Sequence, residues 1–300
     1  MRKKWLAVAL AVGIGGVATW GMSVSAQADN GALESYKSAL KQTKEAGSLT
    51  AHAHLELTDN QTKLFAVDGV AKVDHEQKLG SVDGTYVDAN GEGSFQAFRE
   101  PTQMVFKKGD RDLYRVMEAM DWQQQQPEQD QHAMSSAMIE QVHKTLFGSM
   151  EKWTTMENLP DGGKRVSLKL DEEQMPVFAK MLGPIMYAKI VERSQEARAG
   201  EAEKGLALEL PALQEDVHLE QVVLNATINE QNQIEQQTAK VELVGTDASG
   251  VVHTLQLTVD VHLSDLAATT PERVDLTGKQ VEKVTREEMR SHWAKGGWRH

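Results

Sequence analysis

Two histidines separated by one residue, His52 and His54, have a spacing in this 300-residue sequence that could do chemistry. In an extended chain they project to one side, roughly 7 Å apart, and a neutral imidazole is a common metal ligand. A pair needs further ligands, and Asp68 or His262 would have to arrive on neighbouring strands. The competing reading, a polar strand face turned to water, is the stronger one. The segment Asp88-Ala89-Asn90-Gly91-Glu92-Gly93-Ser94 offers oxygen donors at alternate positions and a glycine where a calcium loop bends. Such a loop needs a bidentate Glu at its twelfth position, and Arg99 stands there, a cation that repels calcium. A tight Asn-Gly hairpin fits better. Met134, Met138, Met175, Met181 and Met186 all fall on helical stretches. Their flexible thioethers can repack around ligands of differing shape, although Met also fills ordinary cores.

Catalytic signatures are missing. The sequence holds no G-x-S-x-G elbow, no H-E-x-x-H, no Walker loop and no G-x-G-x-x-G between a strand and a helix. Its many carboxylates show no spacing that singles out an acid–base pair. These observations point away from an enzyme and imply no cofactor. With 32 Lys and Arg against 44 Asp and Glu, the formal charge is −12, and an acidic surface repels a phosphate backbone. Nucleic acid is excluded as a partner on that ground. Hydrophobic residues at 40% and charged residues at 25% match an ordinary globular protein. There is no cysteine, which excludes disulfides, thiolate metal sites, a Cys nucleophile and a lipid attached through an N-terminal Cys.

The N-terminus reads as a targeting segment. Arg2, Lys3 and Lys4 precede an apolar run from Trp5 to Val24, and Ala26-Gln27-Ala28 supplies the small-x-small pattern of a signal-peptidase site. Cleavage after residue 28 would release an acidic protein that starts at Asp29. The alternative is an uncleaved anchor, because the run is nearly long enough to span a bilayer. No other stretch is apolar enough to cross a membrane, so the cleaved chain would not be an integral membrane protein.

The remaining elements must position whatever site exists. Asp29 or Asn30 can cap a helix with Leu33, Tyr36, Ala39 and Leu40 at helical spacing, ended by Gly47. The period then switches to two: Leu49, Ala51, Ala53, Leu55 and Leu57 face one way, His52 and His54 the other. Phe65, Val67, Ala71 and Val73 mark a second strand, Val82 and Tyr86 a third, and Phe95 a fourth. Two short runs around Met104 and Val116 follow. Residues 117–131 read as a loop, and 134–147 as a second helix ended by Gly148. A hairpin turns at Pro160-Asp161-Gly162-Gly163. A third helical region, 175–198, is broken by Gly183-Pro184. Three long strands follow, the last with Val251, Leu255, Leu257, Val259, Val261 and Leu263 on one face. Beyond Ser264 the chain reads as mostly irregular. The pattern predicts an α+β fold: a single antiparallel sheet of about eleven strands, covered on one face by about three helices.

This order resembles the LolA/LppX/RseB superfamily of exported proteins. The likeness rests on the Tyr36-Lys37-Ser38-Ala39-Leu40 helix running straight into Ser48-Leu49-Thr50, and on Leu276-Thr277-Gly278-Lys279 after the last long strand. It implies a curved half-barrel over residues 29–280; beyond it Arg290, His292, Trp293 and Trp298 make 281–300 a basic aromatic tail. It also implies an apolar cavity between the concave face and the helical lid. Leu49, Ala53, Phe65, Val67 and Phe95 would line that cavity from the sheet, and Met134, Met138, Met181 and Met186 from the lid. The implied ligand is a lipid, an acyl chain or a lipoprotein. The alternative is an envelope sensor or regulatory module with a filled core that binds a protein.

Overall fold

The computed structural model of the chain describes residues 31–109, 112–118, 151–175, 183–185, 187–188, 190–191 and 208–284. The expected signal segment, the helix at 134–147 and the tail beyond 284 lie outside the described residues.

A helix, α1 (Ala32–Glu45), opens the described chain. Six strands follow: β1 (Ser48–Asp59), β2 (Thr62–Asp74), β3 (Leu79–Asp88), β4 (Gly91–Arg99), β5 (Gln103–Lys108) and β6 (Leu113–Glu118). Next come β7 (Thr154–Asn158), β8 (Lys164–Asp171), β9 (Leu213–Ile228), β10 (Ile234–Asp247), β11 (Val252–Ser264) and β12 (Gln280–Val284). All twelve form one open sheet in the order β12-β6-β5-β4-β3-β2-β1-β11-β10-β9-β8-β7. Neighbours pair antiparallel except β12, which runs parallel to β6 from Gln280 opposite Leu113 to Val284 opposite Met117. The expected purely antiparallel eleven-strand sheet is therefore corrected to a mixed sheet of twelve, and β12 crosses the expected boundary at residue 280.

The helices also differ from expectation. Among the described residues α1 is the one substantial helix, where about three were expected. Residues 183–185, 187–188 and 190–191 are helical, but Met175 ends a short 3-10 turn, Glu172–Gln174, with its backbone extended. Gly31, not Asp29 or Asn30, occupies the N-cap position of α1, and no side chain among the described residues caps it. What anchors α1 is its buried face. Ala39 and Leu40 share a core cluster with Ala51, Ala53, Ala71, Ile228, Ile234 and Val261. Small side chains on β1 and β2 leave room for the helix. Thr43 Oγ1 donates to Ala39 O and accepts from the N–H of Ile234, each at 2.8 Å. The Tyr36 hydroxyl accepts from Gln237 Nε2 at 2.6 Å. Gly47, at φ +77°, lets the chain turn directly from α1 into β1.

The opposite face carries a strap. After β11 the chain crosses β1 to β6 between Asp265 and Lys279. Thr269 Oγ1 meets Thr50 Oγ1 at 2.6 Å, with both side chains buried. Glu272 takes Lys72 Nζ at 2.5 Å and the Ser81 hydroxyl. Lys279 Nζ reaches Asp112 at 3.2 Å and lies 6.0 Å from the Tyr114 ring centre. From β11 to β12 is seven strand spacings, about 34 Å, within the reach of residues 265–279. The crossing delivers β12 to the far edge in the same direction as β6.

Candidate functional site

Register fixes which residues share the helix-bearing face. Leu57 stands opposite Phe65, Leu55 opposite Val67, and Ala53 opposite Gly69. The row continues with Tyr86 opposite Val67 and Phe95 opposite Gly84. A Cβ at Gly84 would come within 2.6 Å of the Phe95 ring, so the ring lies across its cross-strand glycine. The face therefore divides. Leu49 and Ala53 belong to the cluster packed by α1. Phe65, Val67 and Phe95 form a separate cluster with Leu55, Leu57, Val82, Tyr86 and Leu208. A third cluster gathers Leu168, Leu170, Met175, Tyr187, Leu219, Leu243 and Leu255. Of the expected lining residues, three come together as a patch and two lie in the core beneath α1. Met134, Met138, Met181 and Met186 lie outside the described residues.

At the turn end of this face sits a polar group that the sequence reading did not single out. Asp59 follows Leu57 by two residues and pairs with Leu255, and His253 precedes Leu255 by two, so both are in phase with the apolar row. His253 Nδ1 lies 2.7 Å from Asp59 Oδ2, and its Nε2 lies 3.4 Å from Asp247 Oδ2. The side chains of His253 and Asp59 are only 14% and 17% exposed. Asp59 Oδ1 is buried and has no hydrogen-bond partner among the described residues. The signal for this group was present: an Asp and a His in the apolar phase of two strands are polar residues where burial is costly unless they are paired.

The surroundings shift these groups in opposite senses. Asp247 Oδ1 accepts from the Ser249 hydroxyl at 2.7 Å and from the N–H groups of Ser249 and Val251. These bonds, led by the hydroxyl, pull its carboxyl down to about 2. Burial alone would lower the His253 imidazole, but hydrogen bonds and charge from Asp59 and Asp247 outweigh it and leave it raised. Tyr187 is raised, first by burial and then by the charge of Asp59, against the N–H of Leu213. Its hydroxyl donates to Pro211 O and accepts from Leu213 N at 3.2 Å, tying the segment around residue 187 to the start of β9.

His52 and His54 lie on the other face. His52 stands opposite His262, and His54 Nδ1 contacts Asp68 Oδ1 at 2.7 Å. Among the described residues, the ligand atoms that gather within 4.8 Å of one another belong instead to Glu172, His218 and Glu220. His218 Nδ1 donates to Asp216 O at 2.6 Å, which leaves its Nε2 toward Glu220 at 3.3 Å. The Asp88 segment forms a hairpin, with the Asn90 N–H on Asp88 Oδ1 at 2.8 Å. Arg99 pairs with Gly80 across β3, well away from that turn. No described helix is long and apolar enough to cross a membrane. No family model matches the chain, and a search of the curated proteins finds no match.

Proposed function

We propose that the chain is an exported binding protein that holds an acyl chain, or the acyl part of a lipidated ligand, between its sheet and a helical lid. The resemblance to the LolA/LppX/RseB superfamily supports this reading. On it, the sheet curves as a half-barrel, and a lid carrying Met134, Met138, Met181 and Met186 closes over it. Export follows cleavage near Ala28.

The observation that carries the reading is the patch of Phe65, Val67 and Phe95. It is a buried apolar cluster on the helix-bearing face across β2 to β4, beside the core that α1 shares with β7 to β11 and with Ala51, Ala53 and Ala71 of β1 and β2. An acyl chain laid there would be driven by burial at ~25 cal/mol per Å², so fourteen carbons gain roughly 10 kcal/mol gross at ~0.8 per methylene. Immobilisation removes much of that.

The test is binding of fluorescent acyl probes with uncharged and anionic heads to the chain and to Phe65→Asp. An unpaired carboxylate in that patch costs several kcal/mol, so binding should fall at least tenfold while far-UV circular dichroism stays unchanged. The control is His52→Asp, on the exposed opposite face, where water solvates the charge and binding should be retained. If the parent chain binds no acyl probe, the carrier reading is wrong and a protein-binding envelope module takes its place.

A further inference from the structure

We infer that Asp59, His253 and Asp247 form the head-group end of that site and select an acyl ligand whose head donates a hydrogen bond and carries no negative charge. The inference rests on the acyl-chain reading above and adds ligand class to it. Three observations carry it. The group lies in line with the patch: Asp59 continues the row Leu55, Leu57, and these two leucines pack against the Phe65 cluster. A chain laid along β1 therefore brings one end to Asp59.

The second observation is the acceptor. Asp59 Oδ2 is engaged by His253, but buried Oδ1 has no partner among the described residues. A buried carboxylate oxygen left without a donor is costly, and a hydroxyl, amide N–H or ammonium from a ligand removes that cost. Oδ1 itself is covered while 17% of the side chain remains exposed, so an entering head must displace what covers Oδ1 to reach it.

The third observation is charge. Among the described residues, the ion-pair partner of both Asp59 and Asp247 is His253. Two carboxylates share one imidazole, so the group is negative whether the imidazole is neutral or protonated. A fatty carboxylate brought to this place meets like charge in a partly desolvated setting. An acylglycerol, an acyl amide or an acyl amine meets an acceptor.

The experiment compares two fluorescent probes of equal chain length, a fatty acid and its monoacylglycerol, against the full chain at neutral pH. The expected result is that the acylglycerol binds about tenfold tighter or more, the equivalent of one good hydrogen bond. Asp59→Asn keeps the shape and removes the charge, so fatty-acid binding should rise and the ratio should fall at least fivefold. Equal binding of the two probes by the parent chain overturns the inference without any variant having to fold, and leaves the acyl-chain reading standing. An unchanged ratio in a folded Asp59→Asn overturns it as well. If neither probe binds, the acyl-chain reading and this inference fail together.

Discussion

His253 is held by two carboxylates, and that makes the stability of the molecule depend on pH in a direction that can be worked out. Its folded-state value is raised above 6.5, so its contribution is complete below 6.5 and is lost as pH rises through the folded value. Asp247 behaves in reverse. Its value is depressed from 3.8 to about 2, so its contribution is present above 3.8 and lost as pH falls toward 2. Asp171, Glu272 and Asp275 are lowered too and share the acid limb. The melting temperature should therefore be highest between about pH 4 and 6.5 and decline on either side. In His253→Gln the decline from pH 6.5 into the weakly alkaline range should flatten, with the acid limb kept. A parent-like alkaline slope in that variant would mean that the imidazole is not bound as drawn.

At the scale of elements, the strap from Asp265 to Lys279 is the piece most open to a thermodynamic test. The Thr50 and Thr269 hydroxyls are buried against one another, and Thr269 also donates to Asp265 O at 3.1 Å. Thr50→Val keeps the β-branched shape and should cost ~1 kcal/mol, a fall of about 2–4 °C in melting temperature for a chain of this size. Thr269→Val should do the same or slightly more. Because the two share one bond, the double variant should lose clearly less than the sum of the singles. Full additivity would contradict the contact.

Which elements were legible in the sequence follows from the same physics. β1 and β11 were readable because one buried face imposes strict alternation, Leu49 to Leu57 and Leu255 to Leu263. The start of β9 was not. Its register slips at Glu220 and again near Asp216, which sits at φ +51°, and each bulge breaks the period of two. β12 was not readable either. Five residues, Gln280–Val284, carry too little pattern, and their parallel partner β6 lies more than 160 positions away, as the Arg115–Glu282 contact shows. The lining patch of Phe65, Val67 and Phe95 was legible as a face, whereas the assignment of Leu49 and Ala53 to the core under α1 depended on where the helix lands.

At the scale of the whole molecule, one open sheet has its two faces closed in different ways. On one, the strap runs over β1 to β6. On the other, α1 packs over β7 to β10 and shares a core with β1, β2 and β11, while Leu208, Leu210, Tyr187 and Val191 join the apolar clusters beside it. Function is proposed for this second face, where a buried apolar cluster runs out to a negative group whose Asp59 Oδ1 has no partner among the described residues. The most direct measurement is native mass spectrometry of the protein purified from its own host without detergent. The expected result is an added mass, released by organic extraction and identified as an acyl compound with a non-anionic head. Bare protein that also takes up no acyl compound when mixed with host lipid would contradict the proposal.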